Sequence, residues 1–317
     1  MSQNLSVLAD PCESSRYYMA KNVYNSLKEL NVSCSFNDFG HSDEVISLCK
    51  GNSSLKVIPF AALSGHVSVS GSQIREMKKY RAIASFDKAT NELLRSYGVN
   101  SSFVGVPFKR RTNNSSFNFE LSEKYNFLTM SGDDFRGCPD SVRAFYKTFT
   151  SKDDVRMIVK FHGSNFNIHW QSRLIREVYK EKLKHRDPPE VIVFSSSMSE
   201  TEIDGLFDLC NCYVKVRGID SGISFLKAIE RGAVCIAPEN SLLSSNNSLI
   251  VSSSGREKTE NGGVVSSFSD DKISECMEYA YKTDCLKDKF LKERKMILSN
   301  SDANLSAINI VKILKKL

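Results

Sequence analysis

The residues best placed to do chemistry are five in a row, Gly218-Ile219-Asp220-Ser221-Gly222, set directly before an apolar helical stretch over 223–230. Two glycines let the backbone approach a ligand closely. A helix opening from such a loop presents free amide donors at the positive end of its dipole. That combination can seat a phosphate or another anion. The same geometry also serves an ordinary helix cap. Metal chemistry has weaker footing. Cys210-x-Cys212 is the only close cysteine pair and lacks a second pair or a histidine at zinc spacing. The adjacent pairs Asp133-Asp134, Asp153-Asp154 and Asp270-Asp271 read as caps and turns, and no Asp-x-Asp stands in the chain.

The elements around the loop position it. Ser199-Glu200-Thr201-Glu202 is a capping-box start followed by Ile203, Leu206 and Phe207 at helical spacing. A strand over 212–216, the loop, a helix over 223–230 and a short apolar strand over 233–237 complete a helix–strand–loop–helix–strand unit. Upstream, strands over 127–130, 157–161 and 191–194 alternate with a helix over 140–149. The chain opens in the same way, with a strand over 4–9, a polar loop, an amphipathic helix over 16–30 and a strand over 32–36. Further strands are expected over 56–60 and 82–85. A helix capped by Asp87 runs through Tyr97 and ends at Gly98 as its C′ residue. The stretch KRRTNNSSFNFELSEKYN over 109–126 is polar and weakly patterned, as an interdomain linker is. Helices over 271–282 and 303–317 close the chain, and no internal repeat is evident.

The order MSETEIDGLFDLCNCYVKVRGIDSGISFLKAIERGAVCIAP over 198–238 resembles the donor-binding core of GT-B glycosyltransferases, above all retaining glycosyltransferase family four. RAIASFDKATNELLRSYGVNSSFVGVPF in the first half, the entry around Ser131-Gly132-Asp133-Asp134-Phe135-Arg136-Gly137, and Gly262-Gly263-Val264-Val265 extend the resemblance over nearly the whole chain. It implies an α/β protein with two Rossmann-like domains facing a cleft: an acceptor-side domain over 1–108, a linker over 109–126, a donor domain over 127–302, and a helix over 303–317 crossing back to the first domain. It also implies site roles. A departing nucleoside diphosphate gathers negative charge that cations, amides or a metal must meet. Gly132 and Arg136 match the donor domain's phosphate-binding entry, where arginine keeps the cation of the family's lysine and adds a planar fork. Ser221, Gly222 and Ile223 match the amide loop. The family's two spaced glutamates fall on Ile219 and Lys227. Lysine cannot accept hydrogen bonds from ribose hydroxyls, while Asp220, one residue out of register, is available in place of the first acid. Lys160, after the donor domain's second strand, and Ser197, after the third, fall where sugar, phosphate or base contacts are made. His66 falls near the reacting sugar, and Glu13 and Ser14 face the acceptor. Each of these positions has a plainer reading as a cap, a surface residue, for His66 a structural histidine or, for Lys227, an exposed lysine on a core helix.

The remaining composition narrows the field. The chain has 317 residues, 41% hydrophobic and 25% charged, enough for two ordinary cores. No apolar run reaches membrane-spanning length and the amino terminus has no signal-peptide pattern. Nine scattered cysteines point to free thiols in a reducing, cytoplasmic compartment. The net charge of +6 is mild. Lys109-Arg110-Arg111 and Lys312, Lys315 and Lys316 are local basic clusters, read as solvated surface or as peripheral contact with an anionic membrane. Nucleic acid is disfavoured because the basic residues are not interleaved with aromatics. The expectation is a glycosyltransferase that uses a nucleotide-diphosphate sugar as co-substrate, with no cofactor and no metal, acting on a glycan, lipid-linked or protein-linked acceptor with retained configuration. An epimerase, a phosphorylase and a catalytically inactive nucleotide-sugar or glycan binder are the rivals.

Overall fold

The computed structural model describes residues 5–8, 14–36, 44–47, 57–61, 66–110, 121, 123–131, 138–161, 168–216, 222–239, 249–258, 264–283 and 286–315. The first half runs β1 (Leu5–Leu8), α1 (Ser14–Glu29), β2 (Cys34–Phe36), β3 (Glu44–Ser47), β4 (Val57–Ala61), β5 (His66–Ser68), α2 (Gly71–Met77), β6 (Ile83–Ser85), α3 (Lys88–Ser96) and β7 (Ser101–Phe103). Six of these strands form a parallel sheet in the order β2-β1-β3-β4-β6-β7. Local chemistry sets the helix ends. Asp87 accepts from the Thr90 amide at 2.6 Å and from its hydroxyl at 2.7 Å, so α3 starts where the capping residue stands. Gly98 then turns the chain left-handed at φ 72°, which only glycine adopts without penalty. On α1, Met19, Ala20, Val23 and Leu27 recur at helical spacing and are fully buried.

The second half runs β8 (Tyr125–Ser131), α4 (Cys138–Thr148), β9 (Val155–Phe161), α5 (Ile168–Lys182), β10 (Glu190–Phe194), α6 (Glu200–Leu209), β11 (Cys212–Val214), α7 (Ile223–Glu230), β12 (Val234–Pro238) and β13 (Leu249–Val251). Its sheet is parallel in the order β10-β9-β8-β11-β12-β13. Counted along the chain this is 3-2-1-4-5-6, the doubly wound Rossmann order. Every residue of β9 is buried, as a central parallel strand covered on both faces must be. A packed aromatic cluster fills one face, with Phe127 5.6 Å from Phe145 and 5.4 Å from Phe149. Sequence periodicity places α7 to the residue, and the Ser199 capping box forms with both of its hydrogen bonds.

Three further features tie the halves together. β14 (Gly255–Lys258) and β15 (Val264–Ser267) make an antiparallel hairpin, and β15 pairs on its other side with β5 of the first half. Helices α8 (Asp270–Lys282), α9 (Leu286–Lys289), α10 (Leu291–Asn300) and α11 (Ala303–Leu314) close the chain, and the segment before the expected linker bonds at the junction of the last two. There Phe108 donates to Ser301 at 3.0 Å and accepts from Ala303 at 3.1 Å. Finally, α11 packs on α1 and buries Ala307, Ile310 and Ile313 in the same core as Met19 and Val23. Most of the expected linker, Arg111 and Asn113 included, lies outside the described residues. The architecture is two Rossmann-like domains facing a cleft.

Candidate functional site

In a doubly wound sheet, ligands bind outside the carboxyl ends of the strands where the winding reverses. In the second sheet that point lies between β8 and β11: the chain proceeds from β8 to β9 and β10 on one side, then returns to β11 on the other. The segment after β8 carries Gly132 and Arg136, and the segment after β11 carries Asp220, Ser221 and Gly222. The two stretches singled out by their residue types therefore leave the two strands that flank the reversal. Gly132, Arg136, Asp220 and Ser221 themselves lie outside the described residues, as do Glu13 and His162.

Gly222 is described and is the N-cap of α7, at φ 84° and ψ −10°, a left-handed conformation suited to glycine. It brings no side chain to the helix end. Its carbonyl accepts the first helical bond from Leu226 at 2.9 Å. Ile223, Phe225, Leu226, Ala228 and Ile229 are buried, which fixes the helix axis against β11 and β12. The amino end of α7 is thus held at the reversal point by packing on its opposite side.

Lys160 lies inside β9, paired with Met130 of β8 and Phe194 of β10, rather than in the segment after the strand. Only 1% of the residue is exposed. Its ammonium donates to the carbonyl oxygens of Phe161 and of Ser196, the latter at 2.8 Å. Burial pulls its pKa down to about 8, and the Glu202 carboxylate opposes that shift. Lys160 therefore fastens the ends of β9 and the segment after β10, next to the candidate site. Ser197, one residue beyond this anchor, is exposed between β10 and α6.

Lys227 is neither exposed nor unoccupied. Its ammonium meets Asp204 of α6 at 2.8 Å and Glu200 at 3.9 Å, and stands 5.1 Å from the centre of the Tyr18 ring on α1 of the first half. The lysine and Asp204 side chains are 13% and 10% exposed. Burial pushes the Tyr18 hydroxyl up to about 12, with Glu200, Asp204 and Glu230 adding to the rise against its bond with Asn22. The charge at this position is neutralised within the protein. Sequence reading missed Asp204. Its one signal is an acid beside Ile203 and Leu206 on the face of α6 that packs inward.

The first half contributes fewer described groups. Ser14 begins α1, which follows β1, the strand flanked by β2 and β3 at the first sheet's own reversal. His66 begins β5 and pairs with Val265 of β15, at the seam between the halves. The described cysteines, Cys34, Cys138, Cys210, Cys212, Cys235 and Cys276, are all free thiols. Among the described residues, no three His, Cys, Asp or Glu side chains stand together as a metal site would require. No described helix is long and apolar enough to cross a membrane.

No protein-family model and no curated protein sequence matches the chain. Solved structures do. Anabaena HepE in complex with UDP and glucose superposes with a TM-score of 0.65 at 9% identity, over 99% of this chain and 100% of that one. The E. coli trehalose-6-phosphate structure bound with UDP-2-fluoro glucose gives 0.63 at 10% identity, over 95% and 78%. WaaG, a glycosyltransferase involved in lipopolysaccharide biosynthesis, gives 0.61 at 10% identity, over 98% of both chains. At such identities the likeness is one of fold. With its Rossmann-ordered second sheet, its companion parallel sheet and its returning last helix, the chain has the GT-B fold.

Proposed function

We propose that this protein is a glycosyltransferase that moves a sugar from a nucleoside-diphosphate sugar to a hydroxyl of a glycan, lipid-linked or protein-linked acceptor. The observation that carries this reading is the reversal point of a Rossmann-ordered sheet, where β8 and β11 lie side by side, with the buried-backed helix α7 opening from Gly222 after β11. The GT-B fold agrees with it, as does the UDP held by a protein of this shape. In the reaction the bond between the sugar's anomeric carbon and the diphosphate oxygen breaks. A bond to the acceptor oxygen forms, and the acceptor hydroxyl proton is given up. The departing diphosphate gathers charge, and what this chain offers to meet it is the amino end of α7 and the Arg136 guanidinium. Those groups can act without a metal, so transfer survives EDTA, and the product keeps the donor's anomeric configuration.

The test is a panel of UDP-, GDP- and ADP-sugars followed by thermal melting and by release of the nucleoside diphosphate. A ligand that binds only the native state raises the melting temperature by mass action. One donor should give both a shift and turnover in EDTA, with an anomeric product of unchanged configuration by NMR. A shift without turnover would leave a nucleotide binder. No shift with any nucleoside diphosphate at millimolar concentration would remove the site altogether.

A further inference from the structure

Helix α5 is fixed to the second half by one face and leaves another uncovered. Leu174 is fully buried and Val178 is 8% exposed, so packing on that side holds the helix in place. Ile175, Tyr179 and Leu183 recur at four-residue spacing and are 46%, 60% and 69% exposed. Leu183 directly follows α5, and its amide still bonds to the Tyr179 carbonyl at 3.1 Å, so it keeps the helical register. Tyr179 and Leu183 are the two most exposed large apolar residues among those described. At 3.6 residues per turn, side chains four apart drift by only about 40°, and these three form a ridge about 12 Å long.

Charge is arranged around that ridge. Positions 168–187 carry six Arg or Lys against three Asp or Glu. On the helical projection Lys182 borders the ridge on the side of Val178, and Arg176 and Lys180 border it on the other; all three are exposed. Glu177 and Glu181 fall on the arc between those last cations and the buried face, where they meet Lys180 at 3.6 Å and Lys184 at 2.7 Å. Among the described residues, Arg176 and Lys182 have no carboxylate at ion-pair distance.

A short apolar ridge between two rows of cations narrows what can cover it. A second copy laid on the same face would set cations against cations, which repel. Three side chains are also far too few to form the core of a stable protein interface, which takes about 800 Å² from each partner. An anionic bilayer suits every group present. Its acyl boundary takes Ile175 and Leu183, and its headgroup level takes the Tyr179 ring with its polar tip. Lipid phosphates take the cationic heads, whose aliphatic stems lie along the apolar boundary. Because α5 is already folded and packed, docking requires no ordering of the chain.

We propose that α5 docks this protein reversibly on anionic lipid bilayers, with Ile175, Tyr179 and Leu183 at the headgroup–acyl boundary and Arg176, Lys180 and Lys182 on the lipid phosphates. This surface is distinct from the basic clusters at Lys109-Arg110-Arg111 and at the end of the chain. It does not depend on the cleft being a nucleotide-sugar site.

Co-sedimentation of the full chain with vesicles of phosphatidylcholine and phosphatidylglycerol in equal parts, and with phosphatidylcholine alone, tests this. The anionic vesicles should bind about tenfold or more tightly, and added salt should weaken that binding. Tyr179→Ser combined with Leu183→Ser keeps every charge and should weaken it by about tenfold or more. Arg176→Glu combined with Lys182→Glu should weaken it at least as much. Lys312→Glu combined with Lys315→Glu makes the same charge change away from α5 and should leave binding within about threefold of the parent. The α5 variants alter exposed side chains only, so they should retain the parent's melting temperature and its response to nucleoside diphosphates. The proposal is overturned if the parent does not sediment with anionic vesicles at millimolar lipid, or binds phosphatidylcholine alone as tightly. It is equally overturned if the Tyr179 and Leu183 variant binds as the parent does, which would mean adsorption by charge alone, or if the Lys312 and Lys315 variant is released as fully as the Arg176 and Lys182 one. A parent dimer that the Tyr179 and Leu183 variant dissociates, seen by analytical ultracentrifugation, would put a second copy on this face instead.

Discussion

Replacing Lys227 with methionine isolates the pair that occupies the second half's inner face. Methionine keeps an unbranched apolar stem and removes only the ammonium, which stands over the Tyr18 ring. Asp204, whose side chain is 10% exposed, then loses the partner it holds at 2.8 Å. Removing one member of a buried ion pair costs about 3–5 kcal/mol, because a desolvated charge is left behind. Both groups keep a little solvent contact and Asp204 has further interactions that remain in the variant. The expected loss therefore falls below that range, at about 2–3 kcal/mol. For a domain of this size that is a fall of roughly 5–10 °C in melting temperature. Lys227→Met with Asp204→Leu removes both charges, and should recover to within about 1 kcal/mol of the parent. Urea unfolding monitored by circular dichroism measures the parent, both singles and the double under one condition. A single variant within about 0.5 kcal/mol of the parent, or a double that loses the sum of the two singles, would refute the pairing argument.

Arg136→Ala should lower turnover by about 2–4 kcal/mol of transition-state stabilisation with little change in melting, and Arg136→Lys should recover part of it. Steady-state kinetics beside thermal melts check this, and near-parent turnover in a folded Arg136→Ala protein removes the residue from the site. Lys160→Met should alter the pH dependence of stability in one direction. The native lysine releases its proton near pH 8 and the unfolded one near 10.5, so the unfolded state binds more protons in that window and the parent gains stability as pH rises through it. Denaturation from pH 7.5 to 10.5 should show that gain in the parent and lose it in the variant. Gly222→Ala forces a side chain into the left-handed region at φ 84°, which should cost about 1 kcal/mol or more and weaken nucleotide binding together with it. Unchanged stability and binding would refute this role for Gly222.

Much of this fold was legible because its signals are local. Asp87 and Ser199 cap the helices that their positions announce, and the buried residues of α7 follow helical spacing without interruption. Other elements carried no such pattern. β14 is four exposed residues, Gly255–Lys258, with no alternation to read. α5 escaped sequence reading: beside its buried Leu174 and Val178, Ile175 and Tyr179 stand exposed, so only part of its apolar stripe is covered. β3 is short and set among polar residues. The candidate site was legible as two stretches of suitable residues, but that the strands preceding them lie side by side at one reversal point depends on strand order, which no local window contains. The pairing of Lys227 with Asp204 likewise joins different helices, and Tyr18 comes from the other half.

The seat of α11 on α1 has a consequence for how the protein comes into being at the ribosome. Chains emerge amino end first, and domains commonly fold in that order. Here β1 through β7 are synthesised before the second sheet, yet part of the core that holds Met19 and Val23 is supplied by Ala307, Ile310 and Ile313 of α11, which packs on α1 and is encoded downstream of that entire sheet. β5 likewise waits for β15, its partner strand. Contacts of such long sequence separation form late, after their loop-closure entropy has been met. The first half therefore remains unfinished through translation of the second, with apolar surface on α1 available to chaperones, and the final helix completes it.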